Sequence, residues 1–114
     1  MIPRQRGASS REAVLYADHQ LSITYVPSPL IRLIGEIDVT NRAAVARTLI
    51  QACRSDEQLI VDVRLLEFID TSGVCVLDNF CREGWIRLVN VQPQLHRLGS
   101  ILRLTFKGAD ADRP

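Results

Sequence analysis

Aromatic residues are scarce, at 5% of the chain with a single tryptophan. Proteins that hold single-stranded nucleic acid stack bases on several aromatic faces, so that class is disfavoured. Charge bias is missing as well. Fourteen Lys and Arg stand against thirteen Asp and Glu, a net charge of +1. So even a balance supplies no field to draw nucleic acid or an anionic membrane surface. No apolar run approaches the roughly 20 residues of a membrane-spanning helix, so no direct membrane insertion is expected. Cysteine is limited to Cys53, Cys75 and Cys81, an odd number without metal-ligand spacing. These are read as small buried residues in a reducing compartment. Residues 1–10 are polar and basic, without the apolar core of a signal peptide, so a cytoplasmic location is expected. There is no nucleophile–base pair, metal cluster or phosphate-cradling glycine loop, so neither an enzyme nor a cofactor is expected.

What remains is enough for one domain. The chain has 114 residues, 46% of them hydrophobic. At that size roughly two thirds of the unfolded surface can be buried. Residues 1–12 read as a mobile leader, 13–107 as the domain and 108–114 as a polar tail. Leu21-Ser22-Ile23-Thr24-Tyr25-Val26 alternates as a half-buried strand. Pro27-Ser28-Pro29 turns the chain, and residues 30–34 return as its hairpin partner, ending at Gly35-Glu36-Ile37-Asp38. Thr40 and Asn41 offer helix N-caps before Val45, Leu49 and Ala52, with Ala46, Ile50 and Cys53 beside that stripe.

Residues 59–63 form a continuous apolar run, suited to a central strand covered on both faces. Residues 64–70 read as a loop anchored by Leu66, Phe68 and Ile69. Asp70-Thr71-Ser72-Gly73 opens a helix over 71–81, with Val74, Leu77 and Cys81 inward and Gly84 after it. Residues 86–91 are a further strand. Pro93 starts a last helix with Leu95, Leu98 and Leu102 inward, and Leu104-Thr105-Phe106 can add a short strand. Strands alternating with helices imply crossovers: an α/β fold with a mixed, largely parallel sheet of four to five strands flanked by helices.

The stretch from Val61 to Val74, with its Phe68-Ile69-Asp70-Thr71-Ser72-Gly73 core, closely resembles the signature of the STAS family, named for sulfate transporters and anti-sigma factor antagonists. Gly35-Glu36-Ile37-Asp38 and Leu88-Val89-Asn90-Val91-Gln92-Pro93 resemble two flanking elements of that family, so the likeness runs from about Leu21 to Phe106. The resemblance to the antagonist branch implies a non-enzymatic switch. Such a protein binds a serine-kinase anti-sigma factor and frees the sigma factor. The kinase then phosphorylates it on the serine before the motif glycine, here Ser72, and a phosphatase reverses the modification. Asp38, Thr40, Asn41, Asp70, Thr71, Ser72 and Gly73 are the expected partner-contact residues, with Asp38 near Ser72 in space. Elementary chemistry agrees with a modifiable Ser72, because the first turn of a helix tolerates negative charge.

Read alone, the same tetrapeptide is an ordinary cap. Thr71 fits a cap or neighbour better than the acceptor, and Asp38 is as well placed to cap the helix that follows as to meet a partner. Gly73 allows another backbone or a partner close to the helix start. Asp62 is expected to accept backbone hydrogen bonds where the loop begins, and Trp85 to pack at the helix exit. His19 and His96 have no partner by motif. The alternative role is a constitutive adaptor of the same fold, serving a membrane transport ATPase or a signalling assembly.

Overall fold

Alternation of apolar and polar residues builds the sheet. The computed structural model describes residues 12–27, 30–53 and 57–101. Its elements are β1 (Ala13–Ala17), β2 (Leu21–Val26), β3 (Leu30–Ile37), α1 (Arg42–Ala52), β4 (Leu59–Asp62), β5 (Leu66–Ile69), α2 (Thr71–Arg82), β6 (Ile86–Val89) and α3 (Pro93–Ile101). The expected strand at 104–106, the inward Leu102, the tail at 108–114, the leader up to residue 11 and the turn residues Ser28 and Pro29 lie outside the described residues.

The sheet is mixed and has six strands in the order β1-β2-β3-β4-β6, with β5 also on β3. β2 runs antiparallel to both of its neighbours, β1 and β3. β4 and β5 both run parallel to β3, and β6 runs parallel to β4. Register places Ile23 opposite Leu33, Ile31 opposite Val61 and Val61 opposite Leu88. All five are fully buried and share one face of the sheet. Burying one such aliphatic side chain stabilises by about 1.5–3 kcal/mol, so this row supplies much of the drive to fold. The central position of the 59–63 run is as expected, with β4 between β3 and β6.

Two expectations are corrected here. Residues 66–69 are not loop but strand β5, paired along the end of β3. Phe68 is no anchor, since it is 52% exposed while Leu66 is buried. On α1, Ala44, Val45, Thr48 and Leu49 are buried, whereas Ile50, one position and about 100° further round, is exposed. Strand β1 adds a third antiparallel member that alternation does not mark, because Ala13–Ala17 is apolar throughout although four of its five residues are exposed.

On α2, Val74, Leu77 and Cys81 form the buried stripe expected of them. Asp78 is also buried, and its Oδ2 accepts from both Nε and Nη2 of Arg82, each at 2.9 Å. Pairing on the adjacent turn lets a carboxylate enter the core without a lone charge. At the helix exit Trp85 packs on Phe80 with ring centroids 5.6 Å apart. Cys81 is buried and Cys53 half-buried, but Cys75 is exposed, so the reading of all three as buried does not hold.

Candidate functional site

The site lies where two parallel strands end side by side. Glu36 pairs with Phe68 and Ile37 with Ile69, so the residues that follow, Asp38 and Asp70, leave the sheet next to one another. The Asp70 N–H donates to the Ile37 carbonyl at 3.1 Å and fixes that juxtaposition through the backbone. The expectation that Asp38 stands near the Ser72 turn is met.

Asp70 is the N-cap of α2. Its Oδ1 accepts from the Gly73 N–H at 2.9 Å and from the Ser72 hydroxyl at 2.7 Å. Burial pushes this carboxyl up and the Asp38 charge adds to that, but the Ser72 and Gly73 donors outweigh both, and its pKa lies below the ordinary carboxylate value. Ser72 is half-buried, Thr71 exposed. The first turn of α2 carries no acidic residue, so the end of the helix dipole is met by the Asp70 cap alone.

Asp38 shapes the opposite wall. Its Oδ1 accepts from the Thr40 hydroxyl and from the Thr40 N–H at 2.9 Å, and its carbonyl accepts from the Arg42 N–H at 2.9 Å. The Thr40 hydroxyl is the chief reason that the Asp38 carboxyl also lies below its ordinary pKa. These bonds close the turn before α1, whose N-cap position is Asn41, while Asp38 stays half-exposed and Thr40 exposed.

Asn41 is placed differently from its reading as a cap and contact residue. It stands at the N-cap position of α1 but makes no side-chain cap bond. At 1% exposure it is spent internally, accepting from the Asp38 N–H at 2.9 Å and donating to the Glu36 carbonyl at 3.0 Å. It holds the Asp38 loop and has no surface to offer. Gly73 is likewise buried, and a Cβ there would stand 2.8 Å from Ile37 Cγ2 and from Ile69 Cγ1. The space a Cβ would take at Gly73 is filled by side chains of the chain's own sheet, Ile37 and Ile69.

Sequence reading missed three contributors. Val39, 61% exposed, and Phe68 lie next to the acidic pair in sequence and leave apolar surface open. Asp18, in the β1–β2 turn, accepts from the Tyr16 hydroxyl at 2.7 Å, from the Gln20 and Leu21 N–H groups at 2.8 Å, and from Asn41 Nδ2 at 3.4 Å. The Asp-x-Gln-Leu spacing of an Asx turn was the available signal. Asp62 meets its expectation, since its Oδ1 accepts from the Arg64 N–H at 2.9 Å, and Asn90 Nδ2 adds a second donor at 3.0 Å.

The Tyr16 hydroxyl first, and then the Gln20 N–H, hold the Asp18 carboxyl down to about 2, from an ordinary 3.8. A carboxyl depressed in the folded state stabilises the fold above its unfolded pKa. That contribution is lost as pH falls through the folded value. Acid titration of stability should therefore show a fall between about pH 4 and pH 2. Asp18→Asn should flatten this part of the profile in chemical denaturation across that range, and an unchanged profile would reject the assignment.

No helix among the described residues is long and apolar enough to cross a membrane. Comparison with known proteins was made on sequence and on structure. No curated protein matches the chain. Among solved structures, "Structure of the Anti-Sigma Factor Antagonist SpoIIAA in its Unphosphorylated Form" is similar at 27% identity and a TM-score of 0.47, over 66% of this chain and 71% of that one. The family model of the STAS domain matches residues 20–108, spanning β2 to α3 and the whole Asp38–Asp70–Ser72 site; the chain belongs to the STAS domain family.

Proposed function

We propose that the chain is an anti-sigma factor antagonist that binds a serine-kinase anti-sigma factor and is switched off by phosphorylation of Ser72. The observation that carries this reading is the Ser72 hydroxyl, half-buried in the first turn of α2 and 2.7 Å from the Asp70 carboxylate. The helix start tolerates a phosphate without unfolding, while the two neighbouring aspartates make added charge conspicuous to a partner. Thr71, exposed beside it, serves as a neighbour in the contact surface, together with Asp38, Thr40 and Asp70. In this proposal 13–107 is the domain, the cytoplasm its location and control of transcription its role, with a phosphatase to restore the unmodified form.

Incubation with a serine-kinase partner and ATP should add one phosphate, mapped to Ser72 by mass spectrometry and removed by phosphatase. Ser72→Ala should take up none while keeping its fold and its partner. Phosphate on another residue of that variant would sink the assignment.

The same hydrogen bond favours a second reading. A hydroxyl that gives its proton to Asp70 completes a self-sufficient cap, as suits a constitutive adaptor in which phosphorylation plays no part. Absence of phosphate on Ser72 in protein isolated from its own cells would select that reading.

A further inference from the structure

The helices stand on one side of the sheet. The crossovers from β3 to β4 through α1 and from β5 to β6 through α2 step the same way across it, and crossovers of one hand then place both helices on one face. Gly73 of α2 sits against Ile37, so the covered face is the one to which Ile31, Leu33 and Ile37 of β3 point. α3 packs beside α2 in the same layer. Among the described residues no helix lies on the other face. Register sets Val14, Thr24, Arg32, Asp62 and Val89 in one row across it, with Ile34 on one side of the row and Leu30 and Ile60 on the other. The apolar members, Val14, Leu30, Ile34, Ile60 and Val89, are all exposed or half-buried. The charged side chains at these alternate positions are Arg32, Arg87, Glu36 and Asp62, two of each sign.

Charge and area select the occupant of this face. A partner of strong single-sign charge gains nothing from two arginines and two carboxylates that cancel. A second copy turned end over end is complementary, because Glu36 stands at one end of β3 while Arg87 lies in the row of Leu30 at the other. Five strands about 4.8 Å apart, of four to eight residues at about 3.3 Å each, give roughly 400–600 Å² of face per subunit. Counted on both subunits, about 800–1,200 Å² is the lower end of the range for specific contacts and the size of a weak, reversible dimer. We propose that this bare sheet face is the contact between two copies of the chain, stacked sheet on sheet with their helices outward. α2, with Ser72 in its first turn, lies on the opposite side, so the dimer leaves that turn open and does not depend on its phosphorylation.

The test is sedimentation equilibrium of the full-length chain from about 1 to 500 μM, which should show monomer and dimer in exchange with a Kd of about 10–100 μM. Ile34→Glu should weaken the dimer at least tenfold. Val14→Lys, at the most exposed of the apolar positions on the face, should do the same and serves where Ile34→Glu does not fold. Ile50→Glu, exposed on α1 and so on the helical side, should leave the equilibrium unchanged. In methyl NMR the signals of Leu30, Ile60 and Val89 should move with concentration, while those of Ile23 and Val61 on the buried face stay in place. Three results would overturn the proposal. One is a monomer over the whole concentration range. Another is a dimer that neither Ile34→Glu nor Val14→Lys weakens, which would place the contact elsewhere. The third is shielding of the Ile34 and Val89 methyls from a soluble paramagnetic probe in the dilute monomer, which would mean that another part of the same chain already covers the face.

Discussion

Gly35→Ala should destabilise the domain by about 3–5 kcal/mol and lower its Tm by roughly 15–30 °C. Two causes add. Gly35 has φ of +118°, a conformation that residues with a Cβ rarely adopt. A Cβ built there would stand 2.1 Å from the Gln20 carbonyl oxygen. That oxygen is not free to retreat, because it accepts from the Glu36 N–H at 2.9 Å. The residue also occupies the irregularity at which β3 ends its pairing with β4 and takes up β5. Gly84→Ala is the natural comparison. Its φ is +80° but nothing lies within 4 Å of the new Cβ, so only the backbone strain of about 1–2 kcal/mol remains. Thermal unfolding of the two variants side by side should separate them clearly. Equal, small shifts would show that the Gln20 contact relaxes at little cost.

Ser72→Asp should weaken binding of the proposed kinase partner by about 30- to 100-fold, or roughly 2–3 kcal/mol. The substitution acts through two local changes. It removes the hydroxyl proton that Asp70 accepts at 2.7 Å, and it brings a second carboxylate to an oxygen already carrying charge. With Asp38 close by, three carboxylates would then share one end of the sheet. The fold should survive, because the first turn of α2 lies at the positive end of the helix dipole, which favours an anion. A phosphate, at about −1.5 to −2 charge, should act more strongly than Asp. Calorimetry against the partner reads the effect directly. Unchanged affinity with an intact fold would remove charge exclusion as the basis of the switch.

The difference between what could be read from the residues and what could not follows burial. Strands β2, β3 and β4 have inward side chains such as Ile23, Leu33 and Val61, and their alternation or continuous apolar run is a direct image of that burial. The cap at Asp70 was legible because Asp, Ser and Gly do local chemistry that sequence spacing captures. Strand β1 is apolar throughout, with no period-2 alternation to mark a half-buried strand, and its existence depends on pairing with β2 across a turn that Asp18 closes. Strand β5 was hidden for a similar reason. Glu67 and Phe68 are both exposed, and an irregular step against β3 breaks any period-2 pattern. Asn41 and Gly73 misled in the other direction. Asn at a helix start and Gly after a serine are surface residues in most settings, and only the packing of the Asp38 loop and of Ile37 and Ile69 buries them here.

The bond from the Asp70 N–H to the Ile37 carbonyl has a bearing on how far related chains can vary. It belongs to the main chain, and any amino acid but proline at position 70 can donate it. The same holds for the parallel ladder that sets Ile37 beside Ile69. The spacing of the two acidic residues is therefore set by main-chain bonds, provided Gly73 leaves room for Ile37 and Ile69. In the proposed contact surface, exposed positions such as Val39, Thr40 and Phe68 can change one at a time, because the main-chain frame beneath them does not have to be rebuilt with each change.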